Sequence, residues 1–149
     1  MDRNRIRHEF VEFIPAELSE GVLYISIEYA TAVHLCISGC GKKVVTPLTP
    51  TDWALIFDGE TASLTPSIGN WGFECRSHYW IKKDRVVWGA AWSRDQIAAG
   101  RQRDALAKQN YYTRASEPGH TDANTYPKPG LFVRLRRNIT AVFERQRDR

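Results

Sequence analysis

The sequence predicts a mainly β protein: a small antiparallel β domain over residues 8–90, followed by a helical extension over residues 91–149. Three observations carry this reading. Short runs of β-branched and aromatic residues alternate with Gly, Pro and Asp turn signals as far as Gly89. Beyond Gly89 the pattern turns to helix formers and a Pro-rich loop. The charge changes at the same place. Residues 1–90 hold 9 Lys and Arg against 11 Asp and Glu, a balance of −2; residues 91–149 hold 12 against 6, a balance of +6. With 149 residues, 42% hydrophobic and 26% charged, the chain suffices for one core and is neither disordered nor low in complexity.

The elements follow in order. Val11, Phe13 and Ile14 form a short strand that Pro15 ends, and residues 15–20 make a turn or loop closed by Gly21. Strands are expected over 22–29 and 32–37, then a Ser38-Gly39-Cys40-Gly41 turn, with 42–46 as hairpin partner. Pro47 and Pro50 punctuate the next stretch, where Thr51 or Asp52 caps a short element holding Trp53. Residues 55–58 and 61–64 form a second hairpin around Asp58-Gly59. The run Pro66-Ser67-Ile68-Gly69-Asn70-Trp71 is too rich in turn residues for regular structure. A third hairpin joins 77–81 to 85–88.

Ser93 then caps a helix to about Gln109 that Gly100 interrupts. Residues 116–130 read as a loop, and 131–147 as a basic helix with Leu131, Leu135, Ile139, Val142 and Phe143 on one face. No apolar run approaches the ~20 residues of a membrane span. The charged N-terminus lacks a secretory signal's apolar stretch, so a cytoplasmic chain with reduced thiols is expected.

Five residues carry the most chemical information: His34, Cys36, Cys40, Cys75 and His78. His34 and Cys36 share a strand face, since side chains repeat every second residue. Cys40 follows across a glycine turn, and Cys75-Arg76-Ser77-His78 offers a second half-site. Cys36, Cys40, Cys75 and His78 make a Cys₃His set suited to tetrahedral zinc, against the plainer alternative of buried core thiols. His34 is then the surplus histidine, free for acid–base work.

The second constellation is the 65–71 loop. Ser67 is held in a Pro/Gly turn, and Gly69 and Asn70 offer donors of the kind an oxyanion needs. A base must activate such a serine, and either His34 or His78 can serve; because His78 completes the better ligand set, His34 is the expected one, with Asn70 steadying the oxyanion. The plainer reading is a turn whose serine bonds its own backbone. The motif pairs of zinc-protease helices and zinc deaminases are missing. The tryptophans at 53, 71, 80, 88 and 92 are expected in core and rim, and Arg134 to Arg137 on a solvated face.

Several of these runs resemble family 6527 of the domains of unknown function. They are His8-Glu9-Phe10-Val11-Glu12-Phe13-Ile14-Pro15, Thr31-Ala32-Val33-His34-Leu35-Cys36, Cys40-Gly41, Pro66-Ser67-Ile68-Gly69-Asn70-Trp71 and Cys75-Arg76-Ser77-His78-Tyr79-Trp80-Ile81. The resemblance covers about residues 8–90. It implies a bacterial peptidase that trims a ubiquitin-like precursor, or removes that protein from targets, beside E1- and E2-like enzymes. It also implies zinc on the thiol and histidine cluster and Ser67 as catalytic residue. Family members often carry a further cysteine where this chain has Ser38, which leaves a place on the metal for a histidine. The alternative is a non-enzymatic zinc module that binds protein or nucleic acid. The basic extension fits an acidic partner surface better than nucleic acid.

Overall fold

The hairpins read from the sequence form, and they build two sheets. The computed structural model describes residues 3–116 and the backbone of one further strand, Leu131–Val133. The first sheet has the order β1 (Arg7–Phe10), β2 (Val22–Ser26), β3 (Thr31–Leu35), β4 (Lys43–Pro47). The second runs β8 (Arg85–Trp88), β7 (His78–Lys82), β6 (Ala62–Gly69), β5 (Ala54–Phe57), β9 (Leu131–Val133). Pairing is antiparallel except for β1 with β2 and β5 with β9. A helix, α1 (Arg94–Ala115), follows β8. The expected mainly β class with a helical extension is therefore what the chain adopts.

Inward-facing residues of both sheets meet in one core. Leu23, Ile25, Ala32 and Val44 come from the first sheet, and Leu55, Leu64, Tyr79 and Ile81 from the second. Each such Leu or Ile contributes about 1.5–3 kcal/mol by leaving water. Strand β4 shows the alternation that makes this possible: Val44 and Thr46 are buried, and Lys43 and Val45 are exposed. Strand β2 is buried along its whole length. Its outer side is held by the preceding loop, through Ser26 Oγ donating to the Glu12 carbonyl at 2.7 Å and Ser19 N–H donating to Tyr24 Oη at 3.3 Å.

The N-terminal segment ties the sheets together. Arg5 bridges to Arg85 on the edge of the second sheet, and two residues later the chain enters β1 of the first. The first strand is thus Arg7–Phe10, earlier than the expected 11–14. The run after it lies outside the sheet, where Phe13 is 61% exposed and rests on Tyr29. His8 Nδ1 reaches Asp84 Oδ1 at 2.8 Å, and the same carboxylate accepts Ala62 N–H at 3.0 Å. Lys83 and Asp84, at φ +50 and +57, close the β7–β8 hairpin in the mirror-image turn that matches strand twist.

Three other expectations are corrected. Strand β6 runs through the stretch expected to be irregular, ending at Gly69. A bulge absorbs the turn residues: Leu64 pairs with Ile81 and Ile68 with Tyr79, so Thr65, Pro66 and Ser67 face Trp80 alone. Helix α1 passes Gly100 without interruption, and the Trp92 ring lies 3.1 Å from where a Cβ there would stand. Its start is as read: Ser93 accepts Gln96 N–H while the Gln96 side chain accepts Ser93 N–H. Leu131–Val133 form a strand paired with β5, not the beginning of a helix. The rest of the expected 131–147 helix, and the 116–130 loop beyond Ser116, lie outside the described residues.

One polar contact joins the inner faces of the sheets. His34 of β3 is fully buried, and its Nε2 lies 2.8 Å from Tyr79 Oη of β7. Asn70 Nδ2 and the Ile37 backbone N–H both approach the Tyr79 oxygen, which leaves Tyr79 to donate its hydrogen to His34. Burial holds the His34 imidazole down to about 4, so it is neutral at ordinary pH.

Two expectations follow. The unfolded chain protonates His34 near its ordinary 6.5, while the native state resists until about 4. Native stability is therefore full above about pH 6.5 and falls as pH drops, at about 1.4 kcal/mol per unit and by about 3 kcal/mol in all. Urea melts between pH 7 and 4.5 should show this slope, and His34→Gln should flatten it. Asp84→Ala should cost about 2 kcal/mol in the same melts, by stranding Ala62 N–H and His8. Asp84→Asn, which keeps an acceptor and tolerates positive φ, should cost less.

Candidate functional site

Two sites lie on either side of Asn70. The first is a group of thiols. Gly39 and Gly41, at φ +82 and +70, turn the chain after β3 so that Cys40 comes back toward Cys36. Cys75 arrives from the loop before β7, and the three sulfurs lie within 4.8 Å of one another. Burial raises the Cys36 thiol. Burial also opposes ionisation of Cys75, but hydrogen bonds from Ser38, Ser77 and Cys40 outweigh it and bring that thiol down to about 6. Three close sulfurs with one ready thiolate are a donor set for a soft or borderline ion such as zinc. Ser38 Oγ stands 3.2 Å from Cys36 Sγ, beside the group.

Neither histidine belongs to this group among the described residues. His34, read as the catalytic base, is enclosed in the core on Tyr79. His78, read as the fourth metal ligand, projects from β7 on the face opposite Tyr79 and lines a cavity of about 580 Å³. Its ring packs against three indoles: Trp71 at 5.1 Å, Trp80 at 4.9 Å and Trp92 at 5.2 Å between centroids. Nδ1 lies 3.0 Å from the Ala90 carbonyl. A carbonyl only accepts, so Nδ1 carries the hydrogen and Nε2 keeps a bare lone pair. That Nε2 is buried with no hydrogen-bond partner among the described residues. A Cβ on Gly89 would collide with His78 Nδ1, so glycine there lets the backbone approach the ring.

Ser67 lines the same cavity, delivered by the β6 bulge. Asn70 also lines it, but its amide is engaged inward. Nδ2 donates to Ser77 Oγ at 2.9 Å and to Tyr79 Oη at 3.4 Å, and Asn70 N–H donates to the Ser77 carbonyl at 2.8 Å. Ser77 Oγ is in turn 3.2 Å from Cys36 Sγ. One polar chain thus runs from the thiols through Asn70 to His34.

The remaining walls come from Trp53, Trp71, Trp92 and helix α1. Lys108 of α1 pairs with Asp52 at 2.6 Å across the rim. Sequence reasoning placed the tryptophans in core and rim and so missed Trp71 and Trp92 as partners of His78. The available signal was the adjacency of Trp71 to the 65–70 run. Ala90 leaves no side-chain signal, since it acts through its carbonyl.

The chain matches, over residues 10–89, the family model described as bacterial ubiquitination-like system serine protease, BubE. No curated protein and no solved structure matches it. The matched stretch holds Ser67, His78, Asn70 and all three cysteines. It also falls within the 8–90 span of the resemblance read from the motifs. With more than half of its length inside that family model, the chain belongs to the BubE family of bacterial ubiquitination-like system serine proteases.

Proposed function

We propose that this chain hydrolyses a peptide or isopeptide bond at the C-terminus of a ubiquitin-like protein, with Ser67 as nucleophile and His78 as general base. The observation that carries this reading is the one cavity that Ser67 and His78 both line, together with a His78 Nε2 that has no hydrogen-bond partner among the described residues. It favours exchanging the roles first expected of the two histidines. His34 is enclosed and bonded to Tyr79, whereas His78 faces the serine's cavity in the tautomer a base requires.

In this mechanism Ser67 Oγ attacks the carbonyl carbon while its proton passes to His78 Nε2. The tetrahedral species collapses, the C–N bond breaks, and His78 returns the proton to the departing amine. Water then cleaves the ester by the same route. The Ala90 carbonyl takes the orienting place that a carboxylate holds in other triads, and the indoles exclude water around the imidazolium. Asn70 holds the Ser67–Trp71 run against the thiol group.

Zinc is the proposed metal, held by the thiolates of Cys36, Cys40 and Cys75. It would cross-link the β3–β4 turn to the loop before β7, and so brace Ser77 and Asn70. The proposed setting is the cytoplasm, and the proposed partners are the ubiquitin-like protein and the E1- and E2-like enzymes that attach it.

The test is a ubiquitin-like protein fused at its C-terminus to a reporter. Ser67→Ala and His78→Gln should each lower release of the reporter by at least about 10³-fold. Full activity in Ser67→Ala, with loss on chelation, would sink the serine mechanism in favour of metal-activated water. Elemental analysis should find one zinc per chain, and less than a tenth of that in Cys40→Ser. An unchanged zinc content in that variant would remove the cysteines from the metal site.

A further inference from the structure

Attack by a serine builds negative charge on the former carbonyl oxygen, and a protease supplies donors to meet it. Of the donors that sequence reasoning placed at Gly69 and Asn70, those of Asn70 are occupied. Asn70 N–H donates to the Ser77 carbonyl, and Asn70 Nδ2 donates to Ser77 Oγ and Tyr79 Oη. A further donor lies on the same face.

Gly69 stands two residues after Ser67 and pairs directly with His78 across the β6–β7 ladder. Paired residues of a sheet share a face, so any side chain at position 69 would stand beside the His78 ring. The Trp71 indole fills that place instead. A Cβ on Gly69 would collide first with Trp71 Nε1, then with Cε2 and Cζ2, so the nitrogen edge of the ring is what lies over the strand. The indole is fixed from two sides, by His78 at 5.1 Å and by Trp92, stacked at 5.4 Å with 22° between planes. Indole nitrogen is a donor only. Among the described residues, Trp71 Nε1 has no acceptor. Ser67, Gly69, Trp71 and His78 all line the one cavity.

We propose that Trp71 is a catalytic residue whose Nε1–H donates to the oxyanion formed when Ser67 attacks, and that Gly69 is glycine so that this N–H can come over the strand. The inference rests on the serine reading above and adds to it. The pre-placed N–H costs no reorganisation as the charge appears, because two aromatic neighbours already hold the ring.

The experiment compares wild type, Trp71→Phe, Trp71→His and Gly69→Ala in two assays. One is hydrolysis of the C-terminal reporter fusion, resolved into kcat and KM. The other is labelling of Ser67 by a fluorophosphonate, a small probe that also passes through an oxyanion. Trp71→Phe should lower kcat by about 10²-fold, as loss of one oxyanion donor does elsewhere. KM should stay within a few-fold, and labelling should slow in parallel. Trp71→His, which keeps a ring N–H, should recover part of the loss.

Gly69→Ala keeps the indole but displaces it, so it should lose kcat as Trp71→Phe does; it also serves if Trp71→Phe fails to fold. Unchanged kcat in either well-folded variant, or a rise in KM alone, overturns the proposal and makes Trp71 a wall of the cavity. Ser67→Ala run beside them separates the two readings. If it stays active, the serine reading falls; if it is dead while Trp71→Phe is fully active, this inference alone falls.

Discussion

The hydrogen bond between His34 and Tyr79 is the constraint on which the arrangement depends. It crosses the interior from β3 to β7, beside the apolar side chains through which the inner faces of the sheets meet. A buried imidazole and a buried phenol both cost free energy to desolvate, and each is tolerable only with a partner. Pairing them fixes Tyr79 inward. Strand alternation then turns its neighbour His78 outward, into the cavity. Burial keeps His34 neutral, so the bond needs no counter-charge.

From the Tyr79 oxygen the same logic extends outward. Asn70 Nδ2 donates to both Tyr79 and Ser77, and Ser77 touches Cys36. Thiol group and cavity are therefore two ends of one hydrogen-bonded chain, not separate decorations of a scaffold. Two glycines, at 69 and 89, open space for rings on either side of His78. Three indoles pack on the His78 ring, and Nδ1 lies against the Ala90 carbonyl.

Much of this was legible in the sequence, because it rests on local rules. The hairpins around Asp58-Gly59 and before Arg85 follow from turn residues between apolar runs, and the Ser93–Gln96 cap from a four-residue pattern. The grouping of Cys36, Cys40 and Cys75 was legible because a glycine turn brings the first two together. The surroundings of each histidine were not. Which side of β7 faces the core depends on the register with β6, and that register slips at the bulge. The same slip hid a strand inside a run of Pro, Ser, Gly and Asn. Gly100 misled as well: the helix runs through it, with the Trp92 ring packed close by.

Helix α1 contributes residues to the cavity wall yet buries none of its own, and an ion pair, Lys108 with Asp52, helps hold it to the body. A half-exposed pair of this kind adds little to stability. The consequence is a division of labour along the chain. Most of the core that joins the sheets lies within the stretch the family model matches, whereas this helical part of the wall lies after residue 89. Side chains on the helix can therefore change size or sign without opening a void in the core. A change on this helix would reshape the outline of the cavity and leave the packing of the sheets beneath it in place.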